Sequence, residues 1–259
     1  MLGHKKKITI LVDSPGGDAD ATFHLINAFR EYADTIDILV ASWAKSAATL
    51  LCLCGDNIFM TRDAELGPLD AQLPDPRGSA IPKSALNSFK SLEYLQRYAL
   101  DTLNLATILL LKQSSMDIPY AIEKAMPFVS CIVTPLYQQV DPQELGEARR
   151  HLSVAEEYCK RIMKRYAYSQ LTKQKIDNIA SRLVWEYPSH SFVIDLDEAR
   201  QMGIHASLMD EERAKLCYNL IKSVDGCFGF ISSDGKPKGK TGVSPKSVVT
   251  KKNRKIKKG

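Results

Sequence analysis

The fold is decided by residues 8–60, which read ITILVDSPGGDADATFHLINAFREYADTIDILVASWAKSAATLLCLCGDNIFM. The first five residues are β-branched or apolar without alternation, as in a strand that is buried on both faces. The sequence also predicts strands at 36–41 and 57–60, and helices at 18–32 and 46–54. Strands that alternate with helices in this way form a parallel sheet with right-handed crossovers.

The chain beyond residue 83 has a different pattern. Apolar residues recur every three or four positions from Ser84 to Lys112, which predicts one long helix. Further helices are predicted at 119–139, 142–169, 172–185 and 195–202. The expected fold class is therefore α/β: a parallel βαβ sheet followed by a mostly helical C-terminal part. We expect an α/β core at 1–83, a helical region at 84–222 that completes the domain and forms an oligomer interface, and a C-terminal segment at 223–259.

Charge is distributed unevenly along the 259 residues, whose formal net charge is +5. Residues 236–259 contain nine lysines, one arginine and no acidic residue, so they carry +10 and leave −5 on the rest. This composition predicts a disordered tail that is either simply solvated or in contact with an anionic surface, either nucleic acid or a membrane.

Composition also limits the compartment and the chemistry. No apolar run is long enough to span a bilayer, and the N-terminus lacks the features of a signal peptide. We expect a cytoplasmic protein, and any membrane association would be peripheral, through the tail. The six cysteines lack zinc-site spacing and are expected to be reduced thiols. No metal and no cofactor is expected.

Two turns should carry the chemistry. The turn at 14–17 follows the first strand and the turn at 42–46 follows the next, so both should lie at the carboxyl edge of the sheet. A Gly16–Gly17 backbone would then lie beside Ser46, which opens a buried helix. Acyl transfer needs a nucleophile on a tight turn and amide N–H groups directed at the developing oxyanion. Alone, Pro-Gly-Gly is an ordinary turn and a serine before a helix is an ordinary N-cap.

Four motifs follow one another in the first part of the chain: Ser14-Pro15-Gly16-Gly17-Asp18, Ala44-Lys45-Ser46-Ala47-Ala48-Thr49, Gly55-Asp56 and Leu66-Gly67-Pro68-Leu69-Asp70. In order and spacing they resemble the motifs of the serine dehydrogenase proteinase family, which is related to signal peptide peptidase A, the Clp protease and the crotonases. Weaker similarity continues at Tyr187-Pro188-Ser189-His190 and 197–204. The resemblance implies a serine endopeptidase that acts on peptide or protein substrates and assembles as a homo-oligomer.

Residue roles follow from the same resemblance. Ser46 would be the nucleophile, and the amides of Gly17 and Ala47 would form an oxyanion hole that Gly16 helps to shape. Residues 66–73, including Gly67, Pro68, Leu69 and Asp70, would flank the substrate channel. The chain departs from the family at Lys45 and Ala48, where relatives have Met and Gly, and at Ala71, where they have Pro.

The general base is predicted from relatives that use a Ser–Lys dyad. Lys90, 44 residues after Ser46, matches their lysine best, with Lys83 as the reserve. On a helical wheel, however, Lys90 falls away from the leucine stripe, as a solvated lysine would. His24 and His190 have no local support as bases.

Two other functions stay open from sequence alone. A crotonase-like acyl-CoA enzyme would use the same fold and oxyanion hole on a thioester without needing Ser46. A non-catalytic scaffold or assembly protein would keep the fold and lose the chemistry. Fold does not decide between them, because function lies in the site.

Overall fold

A computed structural model describes residues 4–70, 72–73 and 83–223, with the backbone alone for Gln72 and Lys83. The predicted basic tail, Ala71 and Cys227 lie outside the described residues. The chain divides into two compact units, residues 1–217 and 218–259. Of the second unit, the structure describes only residues 218–223. The predicted domain boundaries at 83 and 222 stay predictions.

The N-terminal part is the predicted βαβαβ unit. Its strands are β1 (Lys5–Ser14), β2 (Ala33–Ala44) and β3 (Asn57–Met60), and its helices are α1 (Ala19–Tyr32) and α2 (Ala47–Cys52). β1 and β2 are longer than predicted because their polar ends continue the ladder, for example Lys5 opposite Ala33. Three two-residue strands follow: β4 (Glu65–Leu66), β5 (Gln72–Leu73) and β6 (Lys83–Ser84). These were not predicted, since two residues carry no periodic signal.

The helical part contains α3 (Ala85–Gln113), α4 (Ile118–Tyr137), α5 (Pro142–Arg165), α6 (Lys173–Ser181), a π-helical turn (Arg182–Glu186), α7 (Leu196–Met202), β7 (Ala206–Leu208) and α8 (Glu211–Ser223). The fold class predicted from the sequence is confirmed. The prediction for 142–169 was wrong at its end, since α5 stops at Arg165. β7 and α8 were not predicted.

The main sheet has the order β1-β2-β3-β7, and every pairing in it is parallel. β4 also pairs in parallel with the carboxyl end of β2, where Trp43 lies opposite Glu65 and Ala44 opposite Leu66. β2 is therefore central, and its Ile36, Ile38 and Val40 are fully buried. This arrangement brings the segments that follow β1, β2 and β4 to one edge of the sheet.

The core joins the sheet to the helices. Buried residues of β2, β3 and α2 belong to one apolar cluster with Leu152 and Ile162 of α5 and Ile176 of α6. By contrast, α3 and α4 keep many large apolar side chains exposed, among them Leu100, Leu105, Ile108, Leu109, Ile118, Ile122, Met126 and Phe128. Among the described helices, none combines the length and apolarity needed to cross a bilayer.

Candidate active site

The two predicted turns meet. The Lys45 amide donates to the Ser14 carbonyl at 3.0 Å, which ties the residue before Ser46 to the end of β1. Gly16 has φ +107°, and a β-carbon there would lie 2.7 Å from both the Lys45 carbonyl oxygen and the Ser46 Cβ. Only glycine fits such a φ and such a contact. The close approach of the glycine turn to Ser46 therefore depends on Gly16.

Ser46 has a strained backbone. Its φ of 52° and ψ of −123° make it the one non-glycine residue with positive φ among the described residues. A side-chain-bearing residue in such a region costs about 1–3 kcal/mol, and such residues cluster at functional sites. The turn resembles the strained strand-to-helix elbow on which some hydrolases present their nucleophile.

The Ser46 hydroxyl is directed at the loop after β4. Its Oγ donates to the Asp70 carbonyl oxygen at 2.8 Å, and the residue is only 9% exposed. Ser46 therefore lies beside the glycine turn but under the 66–70 loop. Its side chain does not provide the cap of α2, which begins at Ala47.

Two amides belong to the turns that meet at Ser46. Within the described part of the chain, neither the Gly17 nor the Ala47 amide donates a hydrogen bond. Around Gly17 the space is open, since a β-carbon there would meet nothing within 4 Å. The Gly16 amide, in contrast, donates to Ser14 Oγ at 3.1 Å. Gly16 therefore shapes the pocket by its size, while Gly17 and Ala47 have N–H groups available.

The loop predicted to flank a substrate channel is buried. Residues 66–70 are all buried, and the Leu69 amide donates to the Leu183 carbonyl at 2.9 Å. Thr49 of α2 holds the loop in place, because its Oγ1 lies 2.8 Å from the Gly67 carbonyl oxygen and 3.1 Å from the Gly67 amide nitrogen. The role of this loop beside a substrate stays a prediction.

Asp70 is the most elaborately bonded residue of this loop. Its carboxylate is fully buried and accepts hydrogen bonds from the Leu86 amide (2.9 Å) and from Ser84 Oγ (2.5 Å), at the start of α3. Asp70 Oδ2 also lies 3.3 Å from His190 Nδ1. Asp70 therefore contacts Ser46 through its carbonyl and His190 through its carboxylate.

His190 lies in a segment that pairs with β4. Ile194 forms an antiparallel bridge with Leu66, with hydrogen bonds of 2.9 and 3.1 Å in the two directions. The side chain of His190 is 20% exposed. Sequence reasoning gave His190 no role, because 120 positions separate it from Asp70. The one available signal was the weak family similarity at 187–190.

Lys45, next to the nucleophile, points away from it. Its side chain is only 7% exposed, and Nζ forms an ion pair with Glu65 Oε1 at 3.1 Å. Nζ also donates to the carbonyls of Leu66 (3.2 Å) and Phe192 (3.1 Å). Lys45 thus joins the nucleophile turn to β4 and to the segment that carries His190. This anchoring was not predicted from the sequence.

The predicted base lies on the surface of α3. Lys90 Nζ forms an ion pair with Glu93 Oε2 at 3.0 Å, and 38% of the side chain is exposed. It lines a shallow groove with residues of α3, of the end of α4 and of the turn that follows α4, among them Asn87, Tyr94, Leu136 and Val140. Among the described contacts, none joins Lys90 to Ser46. The role of Lys90 as base stays a prediction.

The thiols near the site are chemically quiet. Cys52 and Cys54 are buried, and desolvation raises the pKa of Cys54 to about 12 and that of Cys52 further still. A thiol becomes a nucleophile or ligand only as its thiolate. Among the described residues, no cluster of His, Cys, Asp or Glu side chains is arranged to hold a metal ion.

Comparisons with known proteins agree with the resemblance found in the sequence. Residues 1–93 match the sequence model of a family described as ClpP-like SDH-type serine proteinase. This stretch contains Gly16, Ser46 and Asp70 but not His190. The family resemblance inferred from the sequence is therefore confirmed over residues 1–93. The match indicates a serine proteinase and does not identify the catalytic residues.

Two relatives match a part of the chain. The uncharacterized protein MJ0137 of Methanocaldococcus jannaschii is 32% identical over 79 residues, which are 30% of this chain and 28% of that protein. The uncharacterized protein MJ1495 of the same organism is 30% identical over 66 residues, 26% of this chain and 23% of that protein. The chain thus matches about a quarter of the length of these relatives. No solved structure matches it significantly.

Proposed function

We propose that this protein is a serine endopeptidase in which Ser46 attacks the peptide carbonyl and the amides of Gly17 and Ala47 bind the resulting oxyanion. The observation that carries the proposal is Ser46 itself, held at φ 52° against the positive-φ glycine of the neighbouring turn. The match of residues 1–93 to a serine proteinase family supports the same chemistry.

The amides contribute through preorganisation. Both are already fixed by the turns that carry them, so they need no reorganisation as charge develops on the substrate oxygen. Loss of one such donor typically costs about 2.7–4 kcal/mol of transition-state stabilisation. The Ala48 departure leaves this pair intact, because Ala48 lies within α2 and its amide already donates to the Lys45 carbonyl at 2.9 Å.

The substrate would be a peptide, and the test must separate this from thioester chemistry. We expect purified full-length protein to cleave an unfolded protein such as reduced casein, or a fluorogenic peptide library, and expect Ser46→Ala to abolish cleavage. Acyl-CoA hydrolysis that survives Ser46→Ala would favour the crotonase-like alternative. A folded wild-type protein without activity on either substrate would favour the scaffold alternative.

A homo-oligomer is part of the proposal. The many large apolar side chains that α3 and α4 expose support it, because exposed apolar patches mark interaction sites. Light scattering after size exclusion should give a mass that is a multiple of 28.9 kDa. Leu105→Glu combined with Ile108→Glu should reduce this mass to that of one chain, while a monomeric wild type would contradict the proposal.

The base predicted from sequence, Lys90, belongs to this proposal as its Ser–Lys form. That form requires Lys90 to leave Glu93 and reach Ser46 in the assembled enzyme.

A further inference from the structure

Lys45 is a charged residue that is buried directly beside the proposed nucleophile. Only 7% of its side chain is exposed, and Nζ forms an ion pair with Glu65 Oε1 at 3.1 Å. Nζ also donates to two backbone carbonyls, that of Leu66 at 3.2 Å and that of Phe192 at 3.1 Å. A buried charge is tolerated when it is both paired and hydrogen-bonded, and this ammonium group has an acceptor for each of its three protons. The end of the side chain is therefore fixed.

The rest of Lys45 is held as well. A β-carbon at position 67 would lie 2.4 Å from Lys45 Cδ and 3.3 Å from its Cα, so the glycine at this position leaves room for the side chain. The Lys45 amide donates to the Ser14 carbonyl at 3.0 Å, and the Lys45 carbonyl accepts from the Ala48 amide at 2.9 Å. Lys45 therefore connects the end of β1, the start of α2, β4 and the segment that contains Phe192.

Ser46 requires such anchoring because its backbone is strained. A non-glycine residue at φ 52° persists only where the surrounding structure over-determines its conformation. The φ angle of Ser46 sets how the peptide group before it is turned relative to α2, so relaxation of this angle would move Lys45. The hydrogen bonds of Lys45 to Ser14, Leu66 and Phe192 oppose that movement.

The charge of Lys45 is not what a stable core requires. Replacing a buried ion pair by apolar side chains of similar volume is often neutral or stabilising. A methionine at this position would fill much of the same space by packing alone, but it has no proton to donate to the carbonyls of Leu66 and Phe192. The lysine therefore adds directional links between the nucleophile turn and two neighbouring segments.

We infer that Lys45 is a positioning residue for Ser46, because its ammonium group fixes the nucleophile turn against β4 and against the segment that contains Phe192. This rests on the proposed function. Lys45 takes up no proton and forms no bond in the reaction, and it acts through the geometry of Ser46. Phe192 lies outside residues 1–93, so the turn depends on a part of the chain that the family match does not cover.

The experiment compares Lys45→Met with the double variant Lys45→Met/Glu65→Gln in the full-length protein. The double variant removes the carboxylate that Lys45→Met leaves without its cation, so it should recover stability in urea unfolding. It does not restore the hydrogen bonds to the two carbonyls. We expect kcat for a fluorogenic peptide to fall about 10- to 100-fold in both variants, because a displacement of about 1 Å is enough to cause such a loss. KM should stay within about twofold, because Lys45 contacts no substrate.

A matched lysine control separates positioning from the loss of an ion pair. Lys160 of α5 pairs with Glu156 Oε1 at 2.6 Å, on a helix that contributes no residue to the candidate site. Lys160→Met should therefore keep the wild-type kcat. The rate of fluorophosphonate labelling provides a second measurement that needs no peptide substrate. This rate should fall together with kcat in both Lys45 variants and stay unchanged in Lys160→Met.

The outcomes separate the inference from the proposed function. A kcat that stays low in the double variant while stability recovers supports the positioning role. A kcat that recovers together with stability, a Lys45→Met variant with the wild-type kcat, or an equal loss in Lys160→Met overturns the inference and leaves the proposed function standing. A wild type that neither labels nor cleaves, or activity that survives in Ser46→Ala, overturns the proposed function itself.

Discussion

The strain at Ser46 can be measured by comparing two substitutions, Ser46→Ala and Ser46→Gly. Both remove the hydroxyl and leave the buried Asp70 carbonyl without its 2.8 Å donor, which costs about 1–3 kcal/mol. Only glycine also relieves the positive φ, which costs about 1–3 kcal/mol for a residue with a side chain. Glycine in turn loses about 0.4–1 kcal/mol through the greater freedom of the unfolded chain. Ser46→Gly should therefore be more stable than Ser46→Ala by about 1 kcal/mol.

The assay is urea unfolding followed by circular dichroism, with the two free energies of unfolding compared directly. Ser153 provides the matched control, because it is exposed in the interior of α5. There the order should reverse, with glycine less stable than alanine by about 0.8–1.0 kcal/mol. A Ser46→Gly variant that is less stable than Ser46→Ala, as at position 153, would refute the assignment of Ser46 to a strained elbow.

Three further predictions follow from contacts at and near the site. Gly16→Ala should lower the free energy of unfolding by at least about 2 kcal/mol and abolish activity, because φ +107° and the 2.7 Å contacts both exclude a methyl group. Gly146→Ala, in open space on α5, should instead stabilise by about 1 kcal/mol, and equal effects in the same urea assay would contradict the steric argument. Lys45→Met should lower the free energy of unfolding by about 2 kcal/mol, because it removes the ion pair with Glu65 and the hydrogen bonds to the two carbonyls. Adding Glu65→Gln to this variant should recover part of the loss. A Lys45→Met variant as stable as wild type would show that the ion pair is dispensable. In a Cys227→Ser background, a maleimide should label one thiol per native chain, the exposed Cys131. Cys54 should react only after urea is added, because it is buried and its pKa is raised. Rapid labelling of Cys54 in the native protein would contradict this expectation.

The sheet and the nucleophile turn were predictable because their determinants are local. Unbroken β-branched strands, the Pro15-Gly16-Gly17 turn and the Ser46 helix start are each encoded within a few residues. Parallel topology then brings consecutive βα turns to one edge of the sheet. The approach of Gly16 to Ser46 followed from that rule alone.

The environment of the nucleophile was less predictable because its partners come from distant parts of the chain. Asp70 was expected beside a channel, but its carboxylate turned out to be buried against α3, and His190 reaches it across 120 residues. The anchoring of Lys45 likewise depends on Phe192 and Glu65. No periodicity marks such contacts. The choice of Lys90 followed its spacing from Ser46, although the helical wheel already placed it on the solvated side of α3, where the structure has it.

Mass-spectrometric mapping of the fluorophosphonate adduct tests the central claim most directly. The account predicts one adduct per active chain, on the peptide that contains Ser46, with none in Ser46→Ala. An adduct on another residue, or equal labelling of Ser46→Ala, would contradict the claim that the turn between β2 and α2 presents the nucleophile.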